Sequence, residues 1–243
     1  NPCNDGGMHM TTPEAVSIIG IDIGGTKVCG ARIVLESKST HARIEASHKL
    51  PTPQTREAFL QALADLVNEL NPTGQAVAVG VATAGTVNPF TGEIVGATGN
   101  LPAIDSKEKP FPFKALLEAK IGLPVFVEND ANAAAYGEYK AGAAAGARYV
   151  FMITLGTGVG TGIVLDGTIY HGGHYTAGEG GHLCLSLTQT RRCPCGLWDC
   201  WEAYASGPGL AQTARDVLHE NSETDEAKAF LAGAPLASVT TQQ

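Results

Sequence analysis

The sequence lacks the features by which nucleic-acid-binding and membrane-spanning proteins are recognised. Its 243 residues carry 16 Lys and Arg against 24 Asp and Glu, which gives a formal net charge of -8. No run of basic residues and no basic amphipathic stretch offsets this charge, so we expect no nucleic-acid partner. No apolar run reaches the length of a membrane span, so we expect no membrane partner either.

The sequence also lacks a signal-peptide pattern and an evident pairing of its cysteines. A basic segment followed by an apolar one is absent from the start, and Cys3, Cys29 and Cys184 show no pairing pattern. Both absences favour a cytoplasmic protein. Residues 1–9 are interpreted as vector-derived, because the first residue is not Met and Met10 resembles a native start.

Short apolar runs and helical periodicities alternate along the rest of the chain. Strands are predicted at 17–23, 28–35, 44–50, 76–82, 124–128, 149–155, 163–165 and 168–170, and helices at 55–70, 113–121 and 131–145. This alternation predicts an α/β fold, and the two similar glycine-rich hairpins described below imply two similar lobes. We divide it into a small N-terminal lobe at 10–128 and a larger lobe at 129–243.

Two glycine-rich segments each lie between predicted strands. Their candidate phosphate-binding residues are Asp22, Gly24, Gly25, Thr26, Lys27, Gly156, Thr157 and Gly158. Glycines let backbone N–H groups approach phosphate oxygens, and threonine adds a hydroxyl donor. Asp22, predicted to be buried at the strand end, could hold a magnesium-bound water. The alternative is that glycines at a hairpin tip form only a turn.

The second glycine segment, 156–162, is predicted to be a loop throughout. Its glycines run G-x-G-x-G and a hairpin follows them, whereas a Rossmann fingerprint has G-x-G-x-x-G at the start of a helix. A Walker loop is excluded as well, because no Gly-Lys-Ser/Thr ends the segment. The two segments instead look like internal counterparts, and two such hairpins facing each other would clamp a triphosphate.

Polar residues follow several predicted strands. Asn129 and Asp130 stand at the carboxyl end of a strand and before a helix, where open α/β sheets bind ligands, although a helix N-cap explains either residue almost as well. Gly85 follows the strand at 76–82. Asn100 lies in a loop and could donate to a ligand, or it could stabilise a turn.

One segment offers an imidazole and three thiols, from His182, Cys193, Cys195 and Cys200. This set suits a closed tetrahedral zinc site. The alternatives are three unrelated cysteines, or one disulfide with a free thiol. A zinc ion would pin the loop that carries Glu179, His182 and Glu202, whose carboxylates suit a polyhydroxylated ligand.

Five motifs together resemble the ROK family of sugar kinases, within the actin, sugar-kinase and Hsp70 superfamily. They are D-I-G-G-T-K at 22–27, E-N-D-A-N-A-A at 128–134, L-G-T-G-V-G at 155–160, E-G-G-H at 179–182, and C-P-C-G with C-W-E within 193–202. The resemblance covers residues 18 to about 209. It implies a two-lobed, ribonuclease H-like fold with a zinc-binding loop.

The resemblance further implies ATP-dependent phosphorylation of a hexose, with Mg2+ accompanying ATP and a structural Zn2+. The glucokinase branch is the most similar, which implies conversion of glucose to glucose 6-phosphate by a homodimer. Asp130 corresponds to the catalytic base, and His182 would bind both zinc and sugar. The implied sugar contacts are Gly85, Asn100, Asn129, Asp130, Glu179, His182 and Glu202.

Two other functions are considered beside the hexose kinase, and the sequence departs from the family pattern at two places. The alternatives are an N-acetylhexosamine kinase, for N-acetylglucosamine or N-acetylmannosamine, and a sugar-sensing regulator, which would need a helix-turn-helix ahead of the first phosphate motif. The residues at 197–199 replace the small, glycine-containing residues common inside the zinc loop. The chain ends at Gln243 where family members continue, so we expect the C-terminal part of the larger lobe to be absent.

Overall fold

A computed structural model describes residues 15–36, 42–96, 101–104 and 110–231, together with residues 235, 237, 239 and 240. These residues group into two compact units, which divide between Asp130 and Ala131. The predicted sugar contact Asn100 and the predicted vector-derived segment lie outside the described residues. None of the helices in this part of the chain combines the length and the apolar character that a bilayer crossing requires.

The first unit is built on a mixed sheet. Its elements are β1 (Ala15–Ile23), β2 (Lys27–Glu36), β3 (Ala42–Pro51), α1 (Arg56–Leu70), β4 (Ala76–Thr83), β5 (Val87–Asn88), β6 (Glu93–Ile94), α2 (Phe113–Ile121) and β7 (Val125–Asn129). The five-stranded sheet has the order β3-β2-β1-β4-β7, in which β1, β2 and β3 are antiparallel and β1, β4 and β7 are parallel. A parallel set of strands connected through helices is the α/β arrangement predicted from the sequence.

The core of this unit is formed by the sheet together with α1, α2 and residues 101–104. The predicted helical stripe of Phe59, Leu63, Val67 and Leu70 is fully buried. Each such side chain contributes about 1.5–3 kcal/mol on burial, so this face stabilises the helix far more than its local sequence does. A Cβ at Gly30 would overlap side chains of α1, so the glycine lets the helix approach β2 closely.

The second unit begins with a helix and a three-stranded antiparallel sheet. Its elements are α3, which starts at the boundary residue (Asp130–Ala141), β8 (Tyr149–Leu155), β9 (Val159–Leu165), β10 (Thr168–Ile169), a 3-10 helix (Gly180–His182), α4 (Glu202–Ala205), α5 (Gly207–Glu220) and α6 (Asp225–Leu231). The sheet order is β10-β9-β8. The antiparallel order of β1, β2 and β3 is repeated by β8, β9 and β10, in agreement with the predicted correspondence of the two glycine hairpins.

The second glycine segment is shorter than predicted, because β9 already begins at Val159. A Cβ at Gly162 would lie 2.5 Å from the Cβ of Ala135 and 2.6 Å from the carbonyl oxygen of Ala131. The later glycines of the segment therefore belong to a strand that packs tightly against α3. The glycine pattern alone could not distinguish a flexible loop from this close packing.

Helix α3 is also shorter than predicted, since it ends at Ala141 and not at residue 145. The carboxylate of Glu138 accepts a hydrogen bond from the N–H of Ala143 at 2.7 Å, and its carbonyl accepts from Gly142 at 3.0 Å. Gly146 then adopts a positive φ of 83°. A run of alanines favours helix, but these local contacts turn the chain instead.

Candidate functional site

The first glycine segment forms the tip of the β1–β2 hairpin. The N–H of Gly24 closes the turn by donating to the carbonyl of Lys27 at 3.0 Å. Buried Thr52 holds the tip, because its N–H donates to the carbonyl of Thr26 at 3.1 Å and its hydroxyl to that of Gly24 at 2.6 Å. Sequence analysis does not single out Thr52, which becomes a neighbour of the tip only when β3 pairs with β2.

Asp22 lies beside this hairpin and interacts with Asp130. Burial among neighbouring atoms raises the pKa of Asp22, the charge of Asp130 raises it further, and Lys27 lowers it. The side chain nevertheless remains exposed to solvent, so the prediction that Asp22 is buried is wrong. Because side chains alternate along a strand, the burial of Ile21 and Ile23 on one face leaves Asp22 on the other. Two neighbouring carboxylates of this kind suit a hydrated divalent cation.

Two further predicted sugar contacts meet in the first unit. The side-chain amide of Asn129 donates to the carbonyl of Gly85 at 3.1 Å. Gly85 has a φ of 101°, a conformation that a residue with a Cβ adopts at a cost. Asn129 ends β7 and Asp130 opens α3. Both residues therefore lie at the carboxyl end of a parallel strand, as predicted.

The second glycine segment forms the tip of the β8–β9 hairpin. The N–H of Gly156 donates to the carbonyl of Gly158 at 3.0 Å, and the carbonyl of Gly156 accepts from Gly207 at 2.8 Å. The N–H of Val159 donates to the carboxylate of Glu202 at 2.9 Å. Among the described residues, the N–H groups of Thr157 and Gly158 have no acceptor. These two donors are available to an anion.

The loop that carries Glu179 and His182 packs along β9. A Cβ at any of the three glycines in this loop would overlap β9, and these glycines are Gly178, Gly180 and Gly181. Thr161 of β9 is buried; its hydroxyl donates to the carbonyl of Gly178 at 2.6 Å and accepts from the N–H of Gly180 at 3.0 Å. Sequence analysis missed Thr161, although its position amid repeated glycines was a signal of close packing.

The four predicted metal ligands converge in this unit. One ligand atom from each of His182, Cys193, Cys195 and Cys200 lies within 4.8 Å of the others. Cys193 Sγ is 3.7 Å from His182 Nδ1, and Cys195 Sγ is 3.7 Å from Cys200 Sγ. Tetrahedral zinc at its usual bond lengths would place such atoms about 3.6 Å (S to N) and about 3.8 Å (S to S) apart. The residues present therefore fit a zinc ion.

The cysteines of this cluster are free thiols, as are the other described cysteines. The separation of 3.7 Å between Cys195 and Cys200 is far longer than a disulfide bond. Burial raises the pKa of Cys193 to about 12 and also raises that of Cys200. The raised pKa values favour the protonated thiols. A divalent cation would instead favour the thiolates, because thiols that bind a metal lose their protons.

Asp199 stabilises the loop that carries the three clustered cysteines, although residues 197–199 replace the small, glycine-containing residues common there. Its φ is 53°, a left-handed conformation that Asp tolerates better than most residues, and its side chain is inaccessible to solvent. The carboxylate accepts from the N–H groups of Thr190 and Arg191 at 3.0 and 2.8 Å and from the hydroxyl of Tyr204 at 2.8 Å. These bonds lower the pKa of Asp199 to about 2, the Arg191 N–H contributing most.

Arg191 connects the same loop to α5. Its guanidinium donates to the carboxylate of Asp216 at 2.6 Å and to the hydroxyl of Thr213 at 2.8 Å, and it lies 4.6 Å from the ring centroid of Tyr204. A planar guanidinium can make several hydrogen bonds and stack on a ring at once. The loop is therefore held to the following helices by side chains as well as by any bound metal.

The topology and these motifs define an α/β protein of the actin, sugar-kinase and Hsp70 class, with a His- and Cys-bearing loop in its second unit. A similar solved structure is that of a ROK family glucokinase from Streptomyces griseus in complex with glucose and AMPPNP. It has a TM-score of 0.71 and 33% identity, over 93% of this chain and 69% of that one.

The family model of the ROK family matches residues 18–243, and the chain belongs to this family. A glucokinase from Streptomyces coelicolor is 41% identical over 208 residues, which are 86% of this chain and 62% of the relative. An N-acetylmannosamine kinase from Citrobacter koseri is 39% identical over 209 residues, which are 84% of this chain and 66% of the relative. The chain thus spans less than two thirds of the length of these curated relatives.

Proposed function

We propose that the chain is part of an ATP-dependent hexose kinase that transfers the γ-phosphoryl group to the 6-hydroxyl of glucose. The observation that carries the proposal is the arrangement around β9. A glycine hairpin opens this strand with two N–H groups that have no acceptor in the described part of the chain, and the loop that carries Glu179 and His182 packs along it. β9 therefore supports two elements. One is a hairpin suited to phosphate, and the other is a loop whose carboxylate and imidazole suit sugar hydroxyls.

Asp130 acts in this proposal as the general base that accepts the proton of the attacking hydroxyl. The interaction between Asp22 and Asp130 supports the assignment, because it marks the end of the first sheet as a place of concentrated negative charge. Lys27 and the two hairpins contribute positive charge and N–H donors to the phosphates. When bound, Mg2+ and ATP supply the phosphoryl group and the neutralising charge.

Asn129 and Gly85 position the sugar beside Asp130, while Glu179 and Glu202 accept hydrogen bonds from its hydroxyls. His182 binds the metal and orients the sugar through its ring edge. His182 and the three cysteines would hold a zinc ion, which would anchor the loop rigidly and leave the chemical step to Asp130. Exclusion of water matters because a water molecule offers the same kind of nucleophile as the sugar.

The second candidate is phosphorylation of N-acetylmannosamine. It is favoured by the 39% identity to the N-acetylmannosamine kinase of Citrobacter koseri, which approaches that to the glucokinase. The two substrates differ at C2 in both the substituent and its configuration, which a pocket distinguishes by space and by hydrogen-bond partners.

ADP release by the protein with ATP and Mg2+ tests the proposal across glucose, mannose, N-acetylglucosamine and N-acetylmannosamine. We expect glucose to give the highest kcat/KM. A higher value with N-acetylmannosamine would favour the second candidate, and the absence of sugar-dependent ADP release with all four sugars would contradict the proposal.

The variant Asp130→Asn tests the assigned base. Asn keeps the size and one acceptor of Asp but cannot take the proton, so kcat should fall about a hundredfold to ten-thousandfold while glucose affinity changes little. Calorimetric titration with glucose provides the affinity. If Asp130 only stabilises the first turn of α3, Asn is nearly as good there, and kcat and thermal stability would both stay close to the wild-type values.

A further inference from the structure

Glu202 lies between the metal cluster and the second glycine hairpin. Its Oε2 accepts a hydrogen bond from the N–H of Val159 at 2.9 Å, and its Oε1 lies 3.7 Å from the Sγ of Cys193. Cys193 is one of the four clustered candidate metal ligands. One half-buried carboxylate therefore contacts both elements at once.

The glycine at residue 158, in the tip of the β8–β9 hairpin, leaves room for the carboxylate of Glu202. A Cβ at Gly158 would overlap Oε2 of Glu202. Gly158 does not have a positive φ, so the backbone conformation itself does not require glycine there. The absence of a side chain at residue 158 instead makes room for the carboxylate. Val159, which donates to it, is the first residue of β9 and is buried.

The segment that follows the cluster holds the hairpin at a second point. Cys200, one of the four candidate metal ligands, lies two residues before Glu202, and the N–H of Gly207 donates to the carbonyl of Gly156 at 2.8 Å. The stretch from Cys200 to Gly207 thus contacts the hairpin on both sides of Thr157 and Gly158, whose N–H groups have no acceptor among the described residues. Displacement of Cys200 would move both contacts.

We propose that Glu202 is a positioning residue that couples the metal cluster to the phosphate hairpin, in addition to its proposed contact with sugar. The coupling rests on the proposed function only in assigning phosphate to the hairpin. Occupation of the cluster fixes the start of α4, the carboxylate of Glu202 fixes the N–H of Val159, and the tip at 156–158 is thereby held in one conformation. Loss of the metal or of the carboxylate loosens the tip even when no sugar is present.

Amide hydrogen exchange of residues 156–160, measured without sugar or nucleotide, tests this coupling. In zinc-loaded protein, Glu202→Ala should accelerate exchange of the Val159 amide roughly tenfold to a hundredfold, because a hydrogen bond to a charged acceptor is lost. Glu202→Gln keeps an acceptor oxygen and should give a smaller acceleration. Glu220→Gln removes an exposed carboxylate on α5 and should leave the exchange unchanged.

Chelation of the metal from wild-type protein provides the second measurement. We expect the Val159 amide to exchange faster after chelation and to regain protection when Zn2+ is restored. Unchanged exchange after chelation, or equal exchange in wild type and Glu202→Ala, would overturn the coupling. If Glu202→Ala fails to fold, Glu202→Gln and the chelated wild type still decide the question.

Titration with ATP and Mg2+ separates this proposal from the kinase assignment. Faster exchange in Glu202→Ala together with weaker ATP binding supports both proposals. Faster exchange after both Glu202→Ala and chelation, with unchanged ATP affinity, supports the coupling and contradicts the role of the hairpin in phosphate binding.

Discussion

The substitution Thr161→Val tests how firmly β9 holds the loop of Glu179 and His182. Val is close to Thr in shape but lacks the hydroxyl, which in the wild type donates to the carbonyl of Gly178 and accepts from the N–H of Gly180. The variant leaves both backbone groups without that partner, in a place where Thr161 itself is 1% exposed.

The expected loss of stability follows from these two contacts. A buried polar group left without a partner costs about 1–3 kcal/mol; because Gly178 and Gly180 are only half-buried and their loop can partly relax, the two groups together cost roughly 1–3 kcal/mol. For a chain of this size each kcal/mol lowers the unfolding midpoint by about 2–4 °C, which gives a decrease of roughly 2–12 °C. Metal affinity should decrease as well, because the same loop carries His182.

Thermal unfolding followed by circular dichroism, with zinc affinity from chelator competition, measures both effects. Thr161→Ser keeps the hydroxyl and loses one methyl group, so it should cost about 1 kcal/mol or less. Thr168→Val, on the exposed side of β10, should change stability by no more than about 0.5 kcal/mol. A Thr161→Val protein that melts within about 1 °C of the wild type and binds zinc equally well would refute the reasoning.

Three other outcomes are expected. Gly162→Ala should destabilise the protein by about 1–3 kcal/mol in denaturant unfolding, because its Cβ would overlap α3. Gly137→Ala, where the new Cβ on α3 would lie in open space, should instead stabilise the protein by up to about 1 kcal/mol. Since the folded-state pKa of Asp22 is raised, ionisation of this carboxyl opposes folding, and Asp22→Asn should be more stable than the wild type at pH 7. The difference in the free energy of unfolding between the two proteins should vanish as the pH falls below the ordinary Asp pKa of 3.8. Metal analysis should find one zinc per chain, which Cys200→Ser loses and Cys184→Ser retains; zinc-free protein that folds normally would contradict the structural role of the metal.

Much of the fold was predictable because it depends on local patterns. The helix at Phe113–Ile121 and the strand at Tyr149–Leu155 have the predicted bounds, since periodic apolar residues and a following glycine mark them. Composition was a weaker guide for α3, where alanine favours helix but Glu138 and the glycines after it end the helix early. The strand period also explains the error at Asp22, because a polar residue between two buried isoleucines faces away from the core.

The sequence by itself determined which residues are available for chemistry and how they are spaced. The His and Cys set, the two glycine segments and the polar residues after β7 could all be read from residue type and position, because ligand chemistry depends on side-chain identity. Only the tertiary structure decided which atoms meet. Thr161 and Thr52 hold their loops through contacts between segments distant in the chain, and Glu202 reaches the N–H of Val159 across 43 positions of sequence. Such contacts arise when strands pair and loops pack, so no local pattern in the sequence specifies them.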